Sequence, residues 1–400
     1  MKKAVVIIPT YNEKDNIDLT VSQVFDVFAQ IKNWEMHILI VDDTSPDKTY
    51  EIVKKLQKNK KYASKLHLLI NKQKAGLGGA YLKGMAKAFD DLKADVVFEF
   101  DADLSHDPTK IPLFLDRIDL GDEMVLGSRY IPGGGIPEDW GFHRKILSII
   151  GNLVIRTILT DFSIHDWTGG YRAITKKVYN AIYPEMNLEK FAGYTFQIGF
   201  LHKAKQKGFK ITEIPYKFKD RTYGKSKIGP EYIKNALSYI IKMKIKIILN
   251  HRIFKFLMVG GVGTLIQLIT LQLFRAMVPE FDWLFITDFI LATFLSIEVA
   301  ILSNFILNNI WTFADRKITL AQAPLKFLQF NITSAGSILI QLIIATIGEK
   351  FFGLFKLLTI PIISYNFDTG TLYVIIGILL GLFWNFFAYN AFIWKKKKKK

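Results

Sequence analysis

Four apolar runs, at residues 256–274, about 289–307, 327–347 and 372–392, dominate the second half of the sequence. Each is close to the roughly 20 residues an α-helix needs to cross the hydrocarbon core of a bilayer. Lipid offers no water to backbone N–H and C=O groups, so runs of this length point to helices. Arg252 and Lys255, then Arg316, Lys317 and Lys326, then the lysines of 395–400 flank one side of the four runs, against Arg275, Lys350 and Lys356 on the other. That asymmetry predicts a multi-pass membrane protein of four spans, with the N-terminal half and the C-terminus in the cytosol. The net charge of +17 then reads as attraction to an anionic membrane surface, not to nucleic acid.

The runs also repeat. Lys255-Phe256-Leu257 recurs as Lys326-Phe327-Leu328, and Asn304-Phe305, Asn309, Trp311 and Phe313 recur at the same spacing as Asn385-Phe386, Asn390, Phe392 and Trp394. Two hairpins entering from one side imply a parallel repeat about the membrane normal. Trp311 and Trp394 fit interface anchors, whereas Glu298, a carboxylate in mid-span, marks a functional or inter-helix site. Just before the spans, residues 228–252 mix Ile233, Leu237, Ile240, Ile241 and Ile245 with Lys234, Lys242, Lys244 and Lys246, the pattern of an amphipathic helix lying in the interface.

The first half has a different period. Short apolar runs at 4–8, 36–41, 66–70 and 95–101 alternate with helical patterns, such as Ile17, Val21, Val24, Phe28 and Ile31. This predicts an α/β, doubly wound, mostly parallel sheet covered on both faces. The polar turns all follow strands: Pro9 to Glu13, Asp42-Asp43, and Asp101-Ala102-Asp103. In such sheets the carboxyl edge binds ligands, and three strands delivering carboxylates to one edge repel unless a cation or hydrogen-bonding ligand offsets them. Asp101 and Asp103, hard oxygen donors one residue apart, suit Mg²⁺ or Mn²⁺ that is also held by a substrate diphosphate. Arg129, after the short strand at 124–126, offers a planar fork for phosphate. Arg144 and Ser148 lie one helical turn apart at the start of a helix expected over 142–160, whose Leu147, Ile150, Val154 and Ile158 form an apolar stripe. Such a helix would sit in the core or in the membrane interface, there presenting Arg144 and Ser148 to a lipid phosphate. His106, His143 and His165 show no metal or triad spacing and receive no chemistry. The chain has no cysteine, which removes disulfides and thiolates. Residues 4–8 are too short for a signal-peptide core.

Taken together, Val6-Ile7-Ile8-Pro9-Thr10-Tyr11-Asn12-Glu13, Val41-Asp42-Asp43-Thr44-Ser45-Pro46-Asp47-Lys48-Thr49, Asp101-Ala102-Asp103-Leu104-Ser105-His106, Gly127-Ser128-Arg129-Tyr130, Thr168-Gly169-Gly170-Tyr171-Arg172 and the stretch from Glu213 to Lys227 resemble the polyprenyl-phosphate monosaccharide synthases of glycosyltransferase family 2. The resemblance implies a GT-A catalytic domain over 1–227, and the second half resembles the four-span GtrA-like domains over 253–400. It further implies inverting transfer of one sugar, with GDP-mannose as donor, dolichyl or polyprenyl phosphate as acceptor, and Mg²⁺ or Mn²⁺. Pro9, Tyr11, Glu13, Val41, Asp43, Ala102, Arg221 and Lys227 would then bind the nucleotide-sugar with Asp101 and Asp103. Those two would also hold the metal, with Ser105 where relatives often carry Gln. Arg129, Arg144 and Ser148 would bind the acceptor phosphate. Thr44 and Lys48 stand where relatives carry Asn and Gly. Asp166 occupies the place of a base in relatives that activate hydroxyls, but a phosphate acceptor is already anionic at pH 7 and needs no base. Other expectations within reach of the same residues are a UDP-glucose donor, or a transporter of lipid-linked sugar. A processive synthase would carry Gln-x-x-Arg-Trp, which is missing.

Overall fold

A computed structural model describes residues 1–186, 195–221, 230–279, 282–283, 286–353, 355–360 and 365–394. The chain divides into two compact units, Met1–Lys244 and Ile245–Lys400.

The first unit is built on strands β1 (Lys2–Thr10), β2 (Trp34–Asp42), β3 (Leu66–Ile70), β4 (Val96–Glu99), β5 (Met124–Ser128), β6 (Arg172–Thr175) and β7 (Ile211–Pro215), ordered β3-β2-β1-β4-β6-β5-β7. All pairings are parallel except those of β6, which runs against both β4 and β5. The expected mostly parallel sheet is therefore present, with one reversed strand in its middle. Between the strands lie α1 (Ile17–Phe28), α2 (Thr49–Leu56), α3 (Gly76–Ala86), α4 (Ile111–Asp119), α5 (Phe142–Leu159), α6 (Lys176–Met186) and α7 (Thr195–Gln206).

β1 shows why the sequence reads as a continuous apolar run. Its odd residues Val5 and Ile7 enter one core with Leu39, Val41, Tyr81 and Met85, while Ala4, Val6 and Ile8 enter another with Val21, Val24, Phe98 and Phe114. Helices cover both faces, so neither side of the strand can be polar. α3 lies close enough that a Cβ on Gly84 would collide with Ile7 and Val41. Thr44 and Lys48 have φ of 63° and 62°, the left-handed region in which Asn and Gly are tolerated and a β-branched residue is strained. This gives a physical reason for the Asn and Gly expected at those positions.

α8 (Pro230–Asn250) corrects the expected domain boundary. Ala236 and Ile240 are buried in the first unit's core, Met243 packs against it, and Lys244 Nζ donates to Thr160 Oγ1 at 3.0 Å. Most of this helix therefore belongs to the first unit rather than following it, while Leu237 and Ile241 stay exposed on its other side.

The second unit contains α9 (Arg252–Met277), α10 (Asp288–Leu307), α11 (Ala323–Phe352) and α12 (Thr369–Ala388), with short hairpins β8 (Asp282–Trp283) and β9 (Ile286–Thr287), and β10 (Lys356–Ile360) and β11 (Tyr365–Asp368). α9 packs along α10, and α11 along α12, so each pair forms a hairpin. Both hairpins end in a π-helical turn, Asn308–Thr312 and Tyr389–Ile393, at equivalent places in the repeat. Arg316 joins the two ends, donating through Nη1 to Asn390 Oδ1 at 2.8 Å and to the Trp394 carbonyl at 2.7 Å, while Asn309 Oδ1 accepts from Trp394 Nε1 at 3.1 Å. Trp394 is buried and stacked on Phe313 at 4.5 Å, so it is a packing residue, not the interface anchor expected of it. Among the described residues, which omit several positions inside these helices, no helix is long and apolar enough to cross a membrane.

Candidate active site

The carboxyl ends of β2, β1 and β4 stand side by side, in register through Thr10 with Asp42 and Ile7 with Glu99. Beyond β4 the chain turns through Asp101, Ala102 and Asp103, with Leu104 held at φ 65°. Strain of this kind persists only where surroundings over-determine it. Here Thr20 Oγ1 donates to the Ala102 carbonyl at 2.8 Å, and the Ser105 N–H donates to Asp103 Oδ1 at 3.2 Å. Asp101 accepts from the Tyr81 hydroxyl at 3.2 Å, and Arg221 Nη2 lies 3.0 Å from Asp103 Oδ2. Burial pushes the Asp101 carboxyl above the usual carboxylate range, with the Asp103 charge adding to the rise and His106 opposing it. A divalent cation would reverse that shift.

The donor set fits such an ion. Two carboxylates sit on one short turn, and the Ser105 hydroxyl on the same turn is buried without a hydrogen-bond partner. Among the described residues no group of three or more His, Cys, Asp or Glu could form a cage.

The other nucleotide-sugar candidates divide. Glu13 accepts from Asn16 Nδ2 at 2.8 Å, and the Tyr11 ring lies under Lys74 Nζ at 3.6 Å, both at the edge beyond β1 and near Pro9. Asp43 is committed to the fold: its carboxylate accepts from Asn71 Nδ2, Ala75 N and Gly76 N, each at 2.8 Å, and so caps α3. The Val41 side chain is wholly buried against α3, one residue before the end of β2. Lys227 lies outside the described residues.

The acceptor candidates each arrive already partnered. Arg129 makes a two-point bridge to Asp166, Nε to Oδ2 and Nη2 to Oδ1, both 2.7 Å, and Nη2 also donates to Thr168 Oγ1 at 2.9 Å. Both side chains are almost fully buried, at 9% and 0% exposed. Burial alone would raise Asp166, but the Arg129 guanidinium and the N–H groups of Arg129 and Gly169 hold it below the usual carboxylate range. It cannot serve as a base while so held. Arg144 instead pairs with Asp220 at 3.0 Å on the surface and lies 3.8 Å over the Trp140 ring. The Ser148 hydroxyl meets the Tyr130 hydroxyl at 2.5 Å. One helical turn on, Asn152 accepts from Trp167 N at 2.8 Å, which ties α5 to the loop that carries Asp166.

α5 itself turns its apolar stripe outward. Asn152, Ile155 and Leu159 are buried, whereas Leu147, Ile150 and Val154 are exposed and Phe142 is 79% exposed.

Sequence reasoning missed three buried side chains here. Tyr81 reaches Asp101 from α3. Arg172, at the start of β6, donates to the carbonyls of Gly169, Gln197 and Trp167 and so fixes the turn that follows Asp166. Glu99 faces it at 3.8 Å with no hydrogen bond of its own, and burial pushes its carboxyl up to about 7. The alternation along β4, which puts Glu99 and Asp101 on one side, was the available signal.

A mostly parallel α/β sheet with paired carboxylates at its ligand edge defines a GT-A type of catalytic unit. The chain belongs to glycosyl transferase family 2, whose model matches residues 5–183, and the protein is a glycosyltransferase. A second model, the GtrA/DPMS transmembrane domain, matches residues 255–394. The chain is 33% identical over 346 residues to a dolichol-phosphate mannosyltransferase of Pyrococcus furiosus, covering 86% of this chain and 89% of that one. It is 37% identical over 248 residues to a polyprenol monophosphomannose synthase of Mycolicibacterium smegmatis, covering 61% and 88%. Among solved structures, a glucosyl-3-phosphoglycerate synthase from Mycobacterium tuberculosis aligns with a TM-score of 0.45 at 14% identity, over 60% of this chain and 79% of that one.

Proposed function

We infer that the protein transfers one mannosyl residue from GDP-mannose to dolichyl or polyprenyl phosphate at the cytosolic face of a membrane, with inversion and with Mg²⁺ or Mn²⁺ bound. The observation that carries this reading is that similarity to the Pyrococcus mannosyltransferase runs through both halves of the chain, while Asp101 and Asp103 stand at the ligand edge. The helices α9 to α12, of 26, 20, 30 and 20 residues, would be the four spans, at about 1.5 Å rise per residue.

A divalent cation held by Asp101 and Asp103 would neutralise the donor diphosphate as it leaves. The remaining tasks fall to side chains. An acceptor phosphate brings its own nucleophilic oxygen, and its problem is repulsion by the donor. Arg144 is the cation best able to change partner, because its pair with Asp220 is half exposed and such pairs contribute only about 0–1 kcal/mol. Arg129 is too deeply paired to leave Asp166, and since the pair is neutral as a whole it would offer the acceptor only the guanidinium N–H groups that do not face Asp166. Tyr130 and Ser148 would supply hydroxyl donors beside it. Leu147, Ile150 and Val154 of α5 would rest in the lipid surface from which the acceptor comes.

The test is to incubate the purified full chain with labelled GDP-mannose, UDP-glucose and other nucleotide-sugars, polyprenyl phosphate and Mn²⁺, and to identify the lipid product. Mannosyl lipid from GDP-mannose alone is expected. Glucosyl lipid from UDP-glucose would replace the donor. Movement of preformed lipid-linked sugar without any synthesis would replace the reading with a transporter, in which Glu298 would be the first residue to examine.

A further inference from the structure

The imidazole of His106 is buried and clamped on every side. It stacks on Tyr171 at 4.8 Å and meets Phe100 and Tyr216 edge-on. Its two nitrogens do different things to the same residue. Nδ1 accepts from the backbone N–H of Asp101 at 3.1 Å, and Nε2 lies 3.5 Å from Asp101 Oδ2. Since Nδ1 is an acceptor, a neutral ring must carry its proton on Nε2, facing that carboxylate. Gly170 completes the enclosure: a Cβ there would sit 3.8 Å from the ring and 3.9 Å from both Asp101 carboxylate oxygens.

We propose that His106 is a positioning residue for the metal site, orienting Asp101 from behind through a backbone acceptor and a carboxylate-facing donor. The inference rests on the reading of Asp101 and Asp103 as metal ligands. Ligands held by a second layer of hydrogen bonds typically lose 10–100-fold in affinity when that layer is removed. A ring packed only for bulk would not need either nitrogen.

Two substitutions separate these cases. His106→Phe keeps the aromatic stack and removes both nitrogens, whereas His106→Asn gives up the stack but keeps an acceptor for the Asp101 N–H. Packing alone ranks Phe above Asn; positioning ranks Asn above Phe. The full-length protein in detergent is titrated with Mn²⁺ alone, free Mn²⁺ being read by its electron paramagnetic resonance signal, and thermal unfolding is followed in parallel. His106→Phe is expected to weaken Mn²⁺ binding about 10–100-fold, and His106→Asn to bind more tightly than His106→Phe despite a lower melting temperature. Equal affinity in wild type and His106→Phe, or tighter binding in His106→Phe than in His106→Asn, overturns the proposal provided Asp101→Asn loses Mn²⁺. If Asp101→Asn binds Mn²⁺ like wild type, the metal-site reading itself falls.

Discussion

Replacing Asp166 by Asn tests whether its carboxylate is a counter-ion or a base. The change is nearly isosteric, but it strips the charge from a partner that sits 2.7 Å from two guanidinium nitrogens in a buried pair. The new amide can face one of those nitrogens with its oxygen, while its NH₂ then opposes the other donor. Removing one member of a buried pair typically costs 3–5 kcal/mol. Thr168 Oγ1 still accepts from Arg129, so the lower end, about 3 kcal/mol, is expected. For a unit of this size each kcal/mol moves the melting temperature by about 2–4 °C, giving a fall of about 6–12 °C. Thermal unfolding of the full chain in detergent, from pH 5 to 9, reads it. The sign with pH follows from the depressed Asp166 value: its contribution is complete above the unfolded carboxylate range and is lost only as pH falls below about 4. The gap between wild type and variant should therefore stay constant across the titration. Arg129→Met combined with Asp166→Leu should recover much of the loss, because no charge is then stranded. A variant within 1 °C of wild type would refute the buried-pair argument, and a gap that closes below pH 6.5 would mean that Asp166 titrates there and is available as a base. Activity should fall as well, since Arg129 loses its anchor, and this revises any expectation that Asp166 is dispensable to an enzyme without a base.

Asp101→Asn and Asp103→Asn should each abolish transfer with an unchanged melting temperature, and EDTA should do the same to wild type; full activity in EDTA removes the metal. Thr44→Asn and Lys48→Gly should each raise stability by about 1 kcal/mol, read as a 2–4 °C rise, because both residues sit at positive φ. A chain cut at Asn250 should stay folded, whereas one cut at Lys227 should aggregate, since it uncovers the core that Ala236 and Ile240 close; equal solubility would return α8 to a purely interfacial role. Arg144→Ala should weaken use of the acceptor with little effect on stability, measured as a raised KM for polyprenyl phosphate at unchanged melting temperature.

The strands and the edge were legible because both depend on local pattern: buried parallel strands must be continuously apolar, and polar residues can begin only where a strand ends. The reversal of β6 was not, since four residues, Arg172–Thr175, carry no mark of direction. Nor were the partners of the cations. Arg129 and Asp166 are 37 positions apart, Arg144 and Asp220 are 76, and no spacing rule links such pairs. His106 looked like a lone histidine because its significance lies in which nitrogen faces which atom. The boundary at α8 was misread because its outward residues are the larger and more numerous apolar ones, while its inward contacts rest largely on Ala236 and Ile240.

Because β6 runs backwards, the chain leaves β5 and enters β6 at the same edge of the sheet. Everything between, α5 included, hangs from that edge as a single noose, and the bond between Arg129 and Asp166 is its knot. Closing a flexible loop of that length costs about 4 kcal/mol of chain entropy, the task for which secreted proteins often use a disulfide. In a chain without cysteine an ion pair ties it. Ile155 and Leu159 also bury α5 in the core, so the segment is fixed along its length as well as at the two ends that meet the site.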